Sequence, residues 1–528
     1  MKKRITPLLL SLCIMCLAFS GLSISAFAAQ ATPDAAFTTY DATGGGVRIT
    51  NVNTAAPYST DVVVPAQIGG KDVVEISLHN KGLSSLDVSA CTQLKGLNCS
   101  KDNNFSGTKL TTLDVSNNTK LTYLVCSFNK LTSLDVSKNT LLDSLDCDVN
   151  ELTSLDVSNN PALTDLDCNH NRLTTLDVSK SPALTDLRCS LNQLTTLDVS
   201  NNTALTDIDV LDNQLTTFDV SKNTKLTDLD CSYNKLTALD VSKNTELRYL
   251  DCRVNGLTTL DVSKNTALID LGCDDNKLTT LDVSNNTALV SFSCDNNALT
   301  TLDVSKNTML TWLTCDDNKL TTLDVSKNTA LLYLACTNNA LTGLNVSANT
   351  VLEELLCFGN KLTSLDISKN TALTRLNCYD NYMSDLSALQ TWLKVSGHAG
   401  IIGPQSSMTA GTSIDLTSYI VDNFDIDPSI VWTVEDAGTT GATITNGKLN
   451  VPSAGTVVVS AKVTYSDWSH TNDFTIKVNA APTTTPAAVP VVTPAKTSNP
   501  KTSNEPIALI VIAAISSAVI LISKKKKV

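Results

Sequence analysis

Aromatic residues make up only 5% of this 528-residue chain, and it has four histidines and five methionines. A large conventional core built on Phe, Tyr and Trp is therefore not signalled. The histidines, His79, His170, His398 and His470, stand in four different contexts with no Ser or Cys partner at a recognisable spacing. Nucleophilic catalysis through a histidine base finds no support in that pattern. HExxH, P-loop and Rossmann glycine patterns are also missing, so no enzyme is expected, and no cofactor. Basic residues are in deficit, with Lys and Arg at 39 against 52 Asp and Glu and a net charge of −13. Nucleic acid is excluded as a partner, because affinity for phosphate backbones comes from clustered Lys and Arg.

Long apolar runs occur only at the two ends. Residues 1–28 begin with Lys2, Lys3 and Arg4, continue through an apolar stretch and finish in Ala26-Phe27-Ala28. That layout predicts a signal peptide, cleaved before Ala29. At the far end an apolar stretch from Ile507 to Ile522 is followed by Lys524 to Lys527. This segment, 507–528, reads as a transmembrane span and basic tail, with lysines snorkelling to the cytoplasmic side. Ahead of it, 481–506 is a Pro- and Thr-rich extended linker.

Between the ends the chain repeats itself. The pattern L-x-x-L-D-V-S-x-N-x-x-L-x-x-L-x-C-x-x-N-x recurs every 21 residues from Leu110 to Leu362, and an earlier unit opens at Leu83 with six extra residues. About fourteen units fill 83–382. Each holds two near-equivalent halves, L-x-x-L-D-V-S-x-N and L-x-x-L-x-C-x-x-N. Alternation in L-x-C and L-D-V sets both apolar side chains on one face of a short strand. Asn at the end of each half, such as Asn118 and Asn129, suits a tight turn and can bond a neighbouring coil. One coil cannot bury its own leucines, so stacking must make the core. The expected fold is mainly β: a solenoid with two short parallel sheets, one per half-repeat, and coils ~4.8 Å apart.

Sixteen cysteines in an exported chain invite a disulfide framework. Their spacing argues otherwise. Cys13 and Cys16 leave with the signal peptide, and thirteen others, Cys99 to Cys378, share one repeat column. Val210 replaces Cys in one unit, and Val fills the matching site of the other half-repeat, so the column reads as buried free thiols acting as small hydrophobes. Parallel neighbours suit disulfide geometry poorly, and no His column accompanies them as a zinc site would require. Cys91 lies outside the column, and a Cys91–Cys99 bridge stays open.

The motif L-x-x-L-x-L-x-x-N resembles the leucine-rich repeat, specifically the short bacterial 21-residue form with two nested halves. Residues 499–503, Asn499, Pro500, Lys501, Thr502 and Ser503, resemble the sorting signal of Gram-positive wall-anchored proteins. The resemblance implies sortase cleavage between Thr502 and Ser503, linkage to peptidoglycan, and a passing membrane association through the tail. The motif departs from the commonest Leu-Pro…Gly form and looks more like variants read by other sortase classes. The layout is similar to internalin-type surface proteins. That implies an extracellular, wall- or membrane-anchored location and an adhesin-like role toward a protein or glycan, with a passive spacer as the alternative.

Residues 29–82 read as an N-terminal cap, in which Asp61 to Ile76 looks like an opening strand region. Residues 383–400 form a C-terminal cap with a short helix from Ser387 to Val395 that sets Leu389, Trp392 and Leu393 on the last coil. Alternating segments across 401–480 suggest a β-sandwich, which resembles an Ig-like module with Trp432 in its core.

The two faces of the repeat differ. Outward positions on the D-V-S half barely change, with Asp114, Asp135, Asp156 and Asp177 in a ladder. Like charges so close repel, so the column reads as a solvated ladder with some neutralisation by Lys138, Lys180 or Lys222, or by bound cations; a calcium-binding ladder is the alternative. The Cys half varies. One outward column carries Asp165, Asp186, Asp207 and Asp228, then Tyr249, Trp312 and Tyr333. Exposed aromatics on a regular scaffold are candidate anchors for a partner, while unselected drift between copies is the plainer reading.

Overall fold

The computed structural model describes residues 32–479, apart from 44, 55–59, 102–108 and short loop segments between 404 and 468. The expected signal peptide, the linker with its sorting motif and the apolar tail lie outside the described residues. Among those described, no helix is long and apolar enough to cross a membrane. The chain divides into two compact units, one running to Leu386 and including Ser396–His398, the other taking Ser387–Val395 and Ala399 onward.

In the first unit the Cys half of every repeat forms a three-residue strand, from Gly96–Asn98 through Asp165–Asp167 to Arg375–Asn377. These strands pair in parallel, each with the copy 21 residues on, so Asp165 faces Asp186 and Asp186 faces Asp207. The fold is thus a leucine-rich-repeat β-solenoid. Its ladder starts earlier than residue 83. Lys71–Ser77 pairs in parallel with Gly96–Asn98, and Val47–Val52 pairs in parallel with Lys71–Ser77. Phe37–Asp41 pairs antiparallel with Val47–Val52. That pairing occupies one edge of Val47–Val52, which would otherwise leave strand hydrogen bonds unmade.

The interior is made of columns. In one coil Leu131, Val136, Leu142, Leu145 and Cys147 are fully buried, and the same five positions are buried in the coils that follow. All fourteen described cysteines are free and buried. Cys91 makes no bridge to Cys99; its thiol lies 3.4 Å from the Pro65 carbonyl oxygen. Burial raises the Cys91 and Cys99 thiols to about 12, which keeps them protonated and unreactive.

Among the described residues, the second sheet expected on the D-V-S half is absent over most of the solenoid. Its strands reduce to Asp61–Val63 paired with Ser85–Asp87, and one isolated bridge between Asp156 and Asp177. The sequence itself contains the reason. Asp135 accepts the Ser137 N–H at 2.9 Å, and the Asn139 N–H donates to the Val136 carbonyl at 3.0 Å, so the segment bends into consecutive turns. Asp–x–Ser side-chain-to-backbone bonds compete with strand pairing in this way. Coil-to-coil bonding on this half passes instead through Asn. The Asn139 amide donates to Val115 O at 3.0 Å and Asn118 O at 2.9 Å in the preceding coil. On the Cys half, Asn129 donates to Cys99 O and Cys126 O and accepts the Leu110 N–H.

Ser387–Leu393 is an α-helix with Leu389 and Leu393 buried and Trp392 half-buried, and its contacts group it with the second unit. That unit holds a four-stranded sheet, in which Gly455–Thr464 pairs antiparallel with Ser429–Asp436 and with Ser469–Asn479, and a three-stranded sheet around Lys448–Val451. Trp432 lies on the strand Ser429–Asp436, and its side chain is outside the described residues.

Candidate binding face

The parallel register turns a sequence column into a physical row. Asp165, Asp186, Asp207, Asp228 and Tyr249 stand on consecutive rungs, opposite one another in pairs, and Trp312 faces Tyr333 further along. All seven are half-buried side chains on the outer surface of the strand ladder. They form two groups. Asp270 and Ser291 occupy the rungs between Tyr249 and Trp312.

The aromatic group is tightly ordered. Trp312 and Tyr333 stack with ring centroids 3.7 Å apart and planes 3° from parallel. A second stacked pair, Phe358 and Tyr379, has centroids at 4.5 Å and planes at 7°. Sequence reading missed this pair because it followed only the two columns ahead of Cys. Phe358 and Tyr379 directly follow Cys357 and Cys378, and the same 21-residue period would have exposed them.

The acidic group includes the second outward column and the one beyond Cys. Burial raises Asp148 to about 6 and Asp167 to about 7. Burial likewise lifts Asp230, Asp274, Asp295 and Asp316, with neighbouring carboxylates adding to it for Asp230 and Asp295. Carboxylates bridge successive coils: Asp274 Oδ1 accepts the Asp295 N–H and Asp295 Oδ1 accepts the Asp316 N–H, each at 2.7 Å. Two arginines interrupt the acids. Arg188 pairs with Asp186 and lies 3.8 Å from Asp167, and Arg253 pairs with Asp251 and lies 3.9 Å from Asp274. Each guanidinium therefore spans carboxylates from adjacent coils, a neutralisation the sequence reading had not drawn.

On the opposite half the Asp ladder is exposed, and serine hydrogen bonds do most to stabilise its charge. Hydrogen bonds from Ser137 and Ser179 hold Asp135 and Asp177 below the usual carboxylate range, and Lys138 and Lys180 contribute less. Among the described residues no ion pair joins these lysines to the ladder. Nor do three carboxylate, thiol or imidazole groups converge as a metal ion needs, again among the described residues. His170 is exposed, in a turn with φ 48°.

No family model and no curated protein sequence matches this chain. Solved structures do. The functional domain of InlJ from Listeria monocytogenes, which includes a cysteine ladder, is 34% identical with a TM-score of 0.60 over 76% of this chain and 89% of that one. A leucine-rich-repeat protein of Leptospira interrogans is 23% identical, with a TM-score of 0.56 over 62% of this chain and 89% of its own. The internalin InlF of Listeria monocytogenes is 23% identical, with a TM-score of 0.50 over 55% and 89%. The last two show the fold, whereas the first is alike in sequence over most of its length and shares the ladder of cysteines. The chain belongs to the internalin-type leucine-rich-repeat proteins.

Proposed function

We propose that this chain is a cell-surface binding protein, adhesin-like and without catalytic activity, that recognises an extracellular protein or glycan through the outer face of its strand ladder. The observation that carries this reading is the contrast between the two halves of each coil. The D-V-S half repeats the same outward residues, whereas the strand half gathers an acidic group and the stacked pair Trp312–Tyr333. Aromatic side chains held rigidly at a surface lose little entropy on binding and are frequent anchors of interfaces.

The same reading assigns residues 1–28 to export and Asn499–Ser503 to sortase processing and attachment to peptidoglycan. It assigns 401–480 to an Ig-like spacer and 481–506 to a linker through the wall. The alternative is a passive wall spacer with no specific ligand. Both are tested by screening the purified chain against panels of extracellular glycoproteins and polysaccharides, with the Trp312→Ala/Tyr333→Ala variant alongside. Saturable binding that the double variant loses supports the binding face. Binding that survives the double variant moves the site toward Asp165–Asp228. A folded protein that binds no panel member leaves the spacer.

A further inference from the structure

The row of outward side chains on the strand ladder carries one stacked pair among the described residues, and that stack ends at Trp312. Asp270, Ser291, Trp312 and Tyr333 occupy four successive rungs. Because the Trp312 and Tyr333 rings are parallel at 3.7 Å, their normals run along the row. Tyr333 covers one face of the indole. The other face looks toward Ser291 on the preceding rung, whose side chain is short and not aromatic. The Ser291 hydroxyl bonds the Asp270 carboxylate, so the polar group next to the indole is already directed away from it. With rungs ~4.8 Å apart, the backbones of Asp270 and Trp312 are roughly 10 Å apart. Ser291 is the single rung between them, so the slot is the space over its side chain, between the indole face and the Asp270 carboxylate.

We propose that this slot between the free face of Trp312 and the Asp270 carboxylate receives one basic side chain, arginine foremost, from a protein partner. The proposal rests on the reading above that the strand face binds a partner, and it names the partner's chemistry. A guanidinium is planar, stacks on an indole face and bonds a carboxylate with its edge. This same face already holds guanidinium groups of the chain in both ways. Arg253 and Arg188 sit between carboxylates of adjacent coils, and the Arg248 guanidinium carbon lies 5.8 Å from the Tyr249 ring centroid. Asp270 itself has no ion-pair partner among the described residues; Arg253 acts on it only from further away. The chain's net charge of −13 favours approach of a cation over that of an anion.

The test uses labelled hexa-arginine, its uncharged hexa-citrulline isostere and neutral chitohexaose as probes of the purified chain, read by anisotropy and indole emission at about 0.15 M salt. Hexa-arginine is expected to bind saturably and to perturb the emission of Trp312, an effect lost in Trp312→Leu, while hexa-citrulline does not bind. Ser291→Tyr, which fills the slot and extends the stack, and Asp270→Asn should each weaken binding by about five- to twentyfold. Asp135→Asn, on the opposite half, should leave binding unchanged. Hexa-arginine affinity that is absent, or equal in Ser291→Tyr and Asp270→Asn, overturns the slot, as does binding of chitohexaose in its place. A panel partner lost by Trp312→Ala/Tyr333→Ala yet kept by Ser291→Tyr would reject the slot and retain the binding face. Failure of every partner and every probe rejects both.

Discussion

Single residues matter here through repetition, because each deviation is seen against a dozen copies of the same site. Ser181 stands where other coils carry the buried Asn of the D-V-S half, and its hydroxyl reaches only the Asn160 carbonyl, at 3.2 Å. The Asn of the next coil, Asn202, bonds both Val178 O and Ser181 O. Ser181→Asn should restore the second bond, to Val157 O, and stabilise the protein by about 1 kcal/mol, seen as a higher urea midpoint at unchanged slope. The turn after each Cys supplies a converse case. Val254 sits at φ 50°, where later coils carry Asp275, Asn296 and Asp317 at nearly the same angle. A β-branched residue is strained in the left-handed region, so Val254→Asn should gain roughly 0.5–1 kcal/mol. A lower midpoint in either variant would show that packing at these sites outweighs the backbone argument.

At the scale of one coil, the polar ladders and the strand face pull in different directions as pH changes. Asn244, itself fully buried, donates to Val220 O and Asn223 O at 2.9 Å. Asn244→Ala removes both donors and should destabilise by about 2–4 kcal/mol, with hydrogen-exchange protection lost first in coils 220–244. The carboxylates of the strand face act through protonation. Asp148 and Asp167 are raised by burial to about 6 and 7 in the folded protein, against an ordinary value near 4 when unfolded. The folded state therefore holds protons that the unfolded state has released, and stability falls as pH rises from about 4 through 7. The Asp column of the D-V-S half, held low by Ser N–H groups, opposes this only below about pH 4. Thermal midpoints should thus be higher at pH 5 than at pH 7.5, by an amount on the order of 1–2 kcal/mol in free energy. The Asp167→Asn variant should flatten that slope. A midpoint that rises between pH 5 and pH 7.5 would contradict the burial of these acids.

For the whole molecule, the decisive feature is that the fourteen described cysteines are free and buried together. Each is exposed only when its coil opens, and coils contact chiefly their sequence neighbours, so opening is local and propagates along the array. A thiol reagent should find no reactive cysteine in the native protein and fourteen after unfolding of chain lacking its first 28 residues. A smaller count on unfolding would reveal disulfides and overturn the reading of the column as apolar filling. Legibility followed the same logic. The leucine, valine, cysteine and asparagine columns were readable because burial constrains every copy alike, and Val210 in a cysteine column disclosed the interior directly. Phe358 and Tyr379 were overlooked because the column after Cys is outward and varied, with no shared chemistry to draw the eye.

The 21-residue period alone determined that the chain stacks into a solenoid with one apolar interior, since no coil can bury its leucines by itself. It also determined which face keeps its outward residues and which varies. Only the tertiary structure decided that the D-V-S half is turned rather than paired, because the competition between Asp–Ser side-chain bonds and a strand ladder depends on local geometry. Side-chain stacking along the ladder was likewise decided only in three dimensions. Trp312 and Tyr333 are 21 residues apart in sequence, and whether such neighbours stack, splay or ignore each other is set by backbone spacing and ring orientation, which no repeat pattern encodes.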